Sequence, residues 1–400
     1  MSSLTSLEDA QAHALSLVAP MPVEQVALAD ARGRWLAEPL IARRTQPAAD
    51  LSAMDGYAIT GGAGPWRITA AIPAEASSPS ALAAGEAARI FTGAPVPPGA
   101  QAILIQEDAQ ADGDHLTATS LPTPGQWIRH TGQDFARDQQ LAEAGAAVTP
   151  ALIALAAIAG HGTVAVRRRP AISLLASGSE LVEPGSPTPG LPDANTPMLA
   201  ALLADEGFAA TSLGIIGDDL AALTRAIGGF SGDLLITSGG ASVGDHDLVK
   251  PALEASGWSI TLHRIAMKPG KPLIIARRGD QLMLGLPGNP VSAFVTAILF
   301  TLPLLRAMSG SSAPLPPMLQ APLATPMPAG GNRTEFLRAT LDGSGHLHLQ
   351  PGTGQDSAAL LALSRSQALV RREIDAPPQA VGAQVRYIPI GLCGGLALAP

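Results

Sequence analysis

Only three lysines occur in this chain, Lys250, Lys268 and Lys271, and arginine supplies every other strong base. Two of the three stand in one short segment, Met267-Lys268-Pro269-Gly270-Lys271-Pro272. An ammonium is a compact point charge that neutralises a phosphate or another oxyanion without the planar fork of a guanidinium. Pro269 and Pro272 stiffen the backbone that presents it. The chemistry that calls for two ammonium heads on one stiff turn is the recruitment of an anion.

Four other loops carry groups of the same kind. Ser177-Gly178-Ser179-Glu180 offers N–H and O–H donors beside a carboxylate, and alone it also reads as a solvated turn. In Gly217-Asp218-Asp219, Asp219 is placed as a helix N-cap, while Asp218 either faces a crevice or stays in solvent. The stretch from Thr237 to Asp247 contains Ser238, Gly239, Gly240, Ser242 and Gly244. Glycines there let the backbone approach a phosphate, and successive N–H groups form an anion nest. It is not a Walker A loop, since no Gly-Lys-Ser/Thr closes it. Asp247 either caps the following helix or holds a divalent cation against phosphates. Last comes Leu286-Pro287-Gly288-Asn289-Pro290-Val291-Ser292, with Asn289 as N-cap of a long helix whose free N–H groups face the same place.

The elements that position these loops follow from hydrophobic patterning. Apolar runs at Ile172–Ala176, Ser212–Ile216, Leu234–Thr237, Pro272–Ala276 and Leu282–Gly285 alternate with helical patterns at Pro197–Glu206, Asp219–Ile227, Asp247–Ala255 and Pro290–Met308. Continuously apolar strands between helices are buried on both faces, which predicts a doubly wound, mainly parallel α/β domain over residues 170–310. Ligands in such sheets sit at the carboxyl ends of the strands, where these loops fall.

The flanks differ. Thr5–Glu8 reads as a capping box opening a helix to about Leu17. Thr149-Pro150 opens a second helix, closed by Gly160. We expect these two helical segments to pack together, making one domain of residues 1–45 plus 142–169. Short strands at Ala58–Thr60, Trp66–Ile72, Ala88–Phe91, Ala102–Gln106 and His115–Thr119 make residues 46–141 an inserted β domain. After a Ser/Pro-rich linker, β-rich stretches predict a C-terminal, barrel-like β domain over 318–400.

Composition bounds the function. At 400 residues the chain exceeds one ordinary core. The net charge of -8 and the absence of a basic stripe argue against nucleic acid. Any anionic ligand must then be held by a few placed cations rather than by the overall field. Cys393 is the sole cysteine, so neither an intrachain disulfide nor a Cys-rich zinc site is expected. The N-terminus lacks a signal-peptide pattern, and the apolar stretches near 151–159 and 293–305 fall short of a membrane span, so a cytoplasmic protein is expected.

Taken in chain order, Ser52-Ala53-Met54-Asp55-Gly56-Tyr57-Ala58, Thr92-Gly93-Ala94-Pro95, the Ser177 loop, Asp193-Ala194-Asn195-Thr196, the Ser238–Asp247 loop, Lys268–Pro272 and Leu286–Ser292 resemble the molybdopterin molybdenumtransferases. The resemblance implies an enzyme that binds adenylylated molybdopterin and molybdate, uses Mg²⁺, releases AMP and forms the molybdenum cofactor. It implies an elongated homodimer whose active site is shared between subunits. Asp55 and Thr92 would act across that interface. Glu180, Asp218, Asp247, Lys268 and Lys271 would lie in the main crevice, with Glu180 and Asp247 on the metal. Ser177, Gly178, Ser179, Ser238, Gly239, Gly240, Ser242, Gly244, Pro287, Gly288, Asn289, Pro290 and Ser292 would contact substrate. Arg333 and Arg338, in Gly331-Asn332-Arg333-Thr334-Glu335-Phe336-Leu337-Arg338, would meet an anion, with Ser357 and Asp134 as further carry-overs. Gln133 departs from the family's usual acidic residue, and Gln367 from its frequent Asn. Two rival readings are an adenylyltransferase, which is shorter and lacks the flanking domains, and a non-catalytic scaffold on the same fold.

Overall fold

A computed structural model describes residues 4–76, 79–239 and 248–390. Gly240, Ser242, Gly244 and Asp247 lie outside the described residues.

The central sheet runs, edge to edge, Ala210–Ile216, Ile172–Ser177, Leu234–Ser238, Gln281–Leu286, Ile274–Arg278 and Ser259–His263. The first four strands are parallel, Ile274–Arg278 runs antiparallel to them, and Ser259–His263 pairs antiparallel with it. Alternate residues feed two cores. Leu174, Ile236 and Leu284 pack with Leu199, Leu203 and the 290–308 helical stretch. Leu175, Leu235 and Met283 pack with Leu223, Ile227, Val249 and Leu253. Period-two alternation between two apolar layers is what a doubly wound sheet requires. The chain goes from Ile172–Ser177 to Ala210–Ile216 on one side and then to Leu234–Ser238 on the other, so a switch point opens between Ser177 and Ser238.

The two predicted helical flanks do not pack together. Leu7–Ser16 lies on Leu302–Met308 and shares the core that holds Ile298 and Phe300. Pro150–Ile158 instead packs near Leu28–Asp30, in a separate cluster with Leu36, Leu40 and Val164. What joins the flanks is strand pairing: Val23–Ala27 with Thr163–Arg167, and Leu40–Ile41 with Gln140–Ala142. The expected insertion is thus bracketed by two antiparallel ladders rather than by a helix pair. The predicted capping box also moves. Thr5 is drawn into a bridge with Ile265, so Ser6 caps the helix by accepting from the Asp9 N–H, and Glu8 pairs with Arg371.

Between those ladders stands a six-stranded sheet in the order Ala102–Ile105, Gly56–Ile59, Glu86–Ile90, Trp66–Ile72, His115–Ala118 and Ala109–Asp112. Trp66 is buried in it and donates from Nε1 to Thr60 O at 3.0 Å.

The 19 residues Pro290–Met308 are long and apolar enough to cross a membrane, but 83% of the 18-residue apolar window within them is buried inside the protein. The helix is not regular: Ala297–Thr301 forms a π turn ahead of Pro303. Pro303 has no N–H to give Leu299 O. Gln11 Nε2 donates to that carbonyl at 3.0 Å, so the N-terminal helix satisfies the group the proline leaves free.

At the C-terminal end, Met267–Lys268, Thr334–Leu341, Ala368–Arg372, Gln384–Pro389 and Leu319–Pro322 form one sheet, with Leu347–Leu349 also on Thr334–Leu341. A bridge between Leu323 and Leu347 returns the far edge to the start, giving the expected barrel-like form. Its first strand comes from the α/β region, which the sequence pattern did not indicate.

Candidate active site

The switch point is built around two glycines. Gly239 has φ +88, and a Cβ there would sit 2.3 Å from Ser177 O. Only glycine can occupy that position. A Cβ on Gly288 would lie 3.7 Å from Gly239 Cα, so the loops after Leu234–Ser238 and Gln281–Leu286 approach backbone to backbone. Buried Asn195 ties them together. Its Nδ2 donates to Ser238 Oγ at 2.6 Å and to Gly288 O at 2.7 Å. Asp193 Oδ1 accepts from the Asn195 and Thr196 N–H groups, fixing the helix start that carries Asn195. Asn195 Oδ1 is buried with no hydrogen-bond partner among the described residues.

On the other side of the switch point, Ser179 and Asp218 hold each other. Ser179 Oγ accepts from the Asp218 N–H at 2.7 Å, and Asp218 Oδ2 accepts from the Ser179 N–H at 3.3 Å. Asp219 caps the next helix, as expected from sequence, by accepting from the Ala221 and Ala222 N–H groups. Glu180 is exposed, lies over Gly178, and makes no ion pair among the described residues. Ser177 is buried, and Gly178 donates to Ile216 O at 3.0 Å.

The lysine turn sits against the helix that starts after Gly288. Gly270 has φ +104, and a Cβ there would meet Thr296 Oγ1 at 2.5 Å, so glycine is required for the turn to seat. Lys271 is exposed, and among the described residues neither it nor Lys250, Arg264 or Arg333 forms an ion pair. His263, at this same end of the edge strand, has its pKa lowered, first by burial and then by the Lys250 and Arg264 charges. This rim of the crevice is therefore cationic and not internally neutralised. Lys268 Nζ lies 3.2 Å from Glu335 Oε1 of the C-terminal sheet.

One sequence expectation is corrected. Asn289 does not cap its helix with its side chain; Nδ2 donates to Ser357 Oγ at 3.0 Å, and the Val291 N–H donates to Ser357 O at 3.3 Å. Ser357 thus covers the helix start that was expected to be open, and of that first turn Pro290 has no N–H to offer, while Ser292 is buried. Arg338, expected to meet an anion, keeps a buried Nη1 without a hydrogen-bond partner among the described residues. It is fully buried, donates from Nε and Nη2 to Gly354 O and from Nη2 to Asp356 O, and so holds the segment that carries Ser357. Burial pushes its guanidinium pKa down.

Asp55 forms a second station, in the inserted sheet. Oδ1 accepts from both the N–H and the hydroxyl of Thr92, each at 2.7 Å. The Thr92 N–H first, and then its hydroxyl, hold the Asp55 carboxyl below the ordinary carboxylate range. Asp134 is exposed, and its N–H donates to Gln46 O at 3.1 Å, at the base of the insertion rather than at this station. Pro287 lies in the Gly288 loop, and Arg333 adjoins the Thr334–Glu335 pairing with Met267–Lys268. Asn195 and Glu335 are the functional candidates that residue-level reasoning did not single out. Asn195 belonged to a noticed segment, but nothing local marked its long-range contacts.

Known proteins share both the plan and the sequence. The MoeA N-terminal region (domain I and II) matches residues 5–160, a probable molybdopterin binding domain matches 173–307, and the MoeA C-terminal region (domain IV) matches 320–390. A molybdopterin biosynthesis moeA protein structure from Pyrococcus horikoshii superposes with a TM-score of 0.82 over 97% of this chain and 100% of that one, at 24% identity, a likeness of fold. Molybdopterin molybdenumtransferase 2 of Mycobacterium tuberculosis is 36% identical over 335 residues, 79% of this chain and 83% of that protein. Molybdopterin molybdenumtransferase of Haemophilus influenzae is 31% identical over 399 residues, 96% of this chain and 98% of that one. Since these matches run through the switch point, the lysine turn and the Asp55 station alike, the chain belongs to the molybdopterin molybdenumtransferase family, transferases of molybdenum cofactor biosynthesis.

Proposed function

We propose that this protein inserts molybdenum from molybdate into adenylylated molybdopterin, releasing AMP and leaving the molybdenum cofactor. The observation that carries the reading is the seating of the lysine turn, with Lys271 free of ion pairs among the described residues, on the helix that begins after Gly288. The bare backbone of Gly239 and Gly288 lets a diphosphate lie close to the main chain, and Lys271 with Lys268 neutralises the incoming oxyanion. Catalysis is then mostly positioning and charge stabilisation, because cleavage of the phosphoanhydride spreads negative charge that fixed cations favour. Asn195 keeps the Gly239 and Gly288 loops in register, and the Ser179–Asp218 pair fixes the opposite wall.

Among the described residues no group of three or more His, Cys, Asp or Glu side chains is arranged to hold a metal ion. The unpaired Glu180 carboxylate is nonetheless suited to Mg²⁺, which needs only one or two carboxylates alongside substrate phosphates and water. Glu180, with Asp247, would hold it, and when bound it would supply neutralisation of the diphosphate. In this reading the protein works in the cytoplasm as a homodimer, with Asp55 and Thr92 of a second copy completing each crevice.

The test is incubation of the purified protein with adenylylated molybdopterin, Mg²⁺ and molybdate, and separately with ATP and free molybdopterin. AMP release that depends on molybdate is expected. Consumption of ATP with free molybdopterin would replace the proposal with adenylyl transfer, and silence in both would leave a scaffold.

A further inference from the structure

The C-terminal sheet reaches into the crevice at one point. Met267–Lys268 joins Thr334–Leu341 as a parallel strand, placing Lys268 in register with Glu335, and Glu335 is in turn in register with Arg372. Three charged residues therefore stand in one row across three strands, in the order cation, carboxylate, cation. Cross-strand neighbours at this spacing interact directly. Arg372 grips one carboxylate oxygen, Glu335 Oε2, through Nε at 2.6 Å and also through Nη2, and is itself anchored by Nη1 to Pro328 O at 2.8 Å. The other oxygen, Oε1, is left for Lys268 Nζ.

Exposure separates the members of this row. The Glu335 side chain is 7% exposed and that of Lys268 55%. The carboxylate is sealed inside while the ammonium is open to solvent. An ammonium has three N–H donors, and one contact to Oε1 leaves others for a ligand. Two cations around one carboxylate also leave the row net positive. A buried ion pair adds little to stability in general, and Arg372 alone would satisfy Glu335, so stability alone does not explain why the second oxygen is turned to a lysine in the crevice.

We propose that Glu335 is the positioning residue for Lys268, and that through it the C-terminal sheet sets where the crevice ammonium stands. This deepens the reading that Lys268 neutralises an incoming oxyanion and rests on it. The chain offers a direct probe, since it has only three lysines. Reductive methylation with ¹³C-formaldehyde labels Lys250, Lys268 and Lys271 in the full-length protein, and Lys→Arg variants assign their signals. Glu335→Gln is expected to move the Lys268 signal toward that of a free, solvated lysine while the other two stay in place. It should raise the KM for molybdate about tenfold with kcat changed far less, the loss of one charge-assisted contact. Should Glu335→Gln fold poorly because Arg372 is left unpaired, the Glu335→Gln/Arg372→Gln double variant removes both buried charges and should show the same two changes. A folded variant whose Lys268 signal and molybdate KM match the parent overturns the proposal. If the parent protein shows no molybdate-dependent turnover, the proposed function fails, while the Lys268 signal still decides whether Glu335 holds the ammonium.

Discussion

The crevice and the Asp55 station hold their charged groups in opposite ways. In the crevice the contacts that join separate loops are long in sequence: Asn195 to Gly288 spans 93 positions, Asn289 to Ser357 spans 68, and Lys268 takes its partner from another sheet. At the Asp55 station, Asp55 and Thr92 flank the ends of two strands, Gly56–Ile59 and Glu86–Ile90, that pair directly. The crevice is therefore a joint property of two sheets and fails when either shifts, whereas the Asp55 station is secured by one ladder. The two arginines of the Arg333–Arg338 run repeat the lesson. Arg338 spends Nε and Nη2 on Gly354 and Asp356 and keeps only Nη1 unpartnered, while Arg333 remains without an ion pair among the described residues.

The largest effect is expected where the crevice loses its cations. Lys268→Ala/Lys271→Ala should lower molybdate-dependent AMP release about 10³-fold, measured by single-turnover kinetics, with the fold intact by circular dichroism. Unchanged turnover would end the assignment of the crevice. Asp55→Ala should cost about 10²-fold with no change in thermal midpoint. Because each station is then taken to come from a different copy, mixing and re-equilibrating the Asp55→Ala and lysine variants should restore roughly a quarter of parental turnover, the share of intact sites in random dimers. No recovery would place both stations in one subunit.

The next effect separates the two arginines. Arg338→Met leaves buried carbonyls unpaired and should lower unfolding stability by about 2–3 kcal/mol in urea titration. Arg333→Met should change stability by less than about 0.5 kcal/mol. Equal losses would mean that Arg333 is structural too. The smallest effect concerns protonation. Thr92→Val removes the hydroxyl contact that helps keep Asp55 ionised, so the folded-state pKa of Asp55 rises. Asp55 then takes up a proton at higher pH, and the acid limb of turnover moves upward, as read from a pH–rate profile. An unmoved limb would mean that Asp55 ionisation does not control the rate.

Much of this was legible before the structure was known. Asp219 announced its cap, because a short acceptor before an apolar 3.6-residue pattern satisfies N–H groups only a few positions away. The glycines of the Gly239 loop were read as letting backbone approach a phosphate, and at Gly239 the group that excludes a Cβ is the Ser177 carbonyl. Asn289 was misread for a complementary reason. Its local signal was that of a cap, but Ser357 from a distant segment competed for its amide. Arg338 looked like its neighbour Arg333, and nothing in strand periodicity distinguishes a guanidinium that turns inward to carbonyls from one that stays outside. Glu335 gave no signal at all, since its meaning depends on a two-residue strand captured from the α/β region.

The sequence by itself determined the alternation of elements, the glycine positions and the compact cations, because propensity, backbone sterics and charge act over a few residues. Only the tertiary structure decided which groups are free and which are spent. That division depends on partners brought together from far along the chain, and burial makes each such partner costly to lose, so it is settled by how the sheets meet rather than by any local pattern.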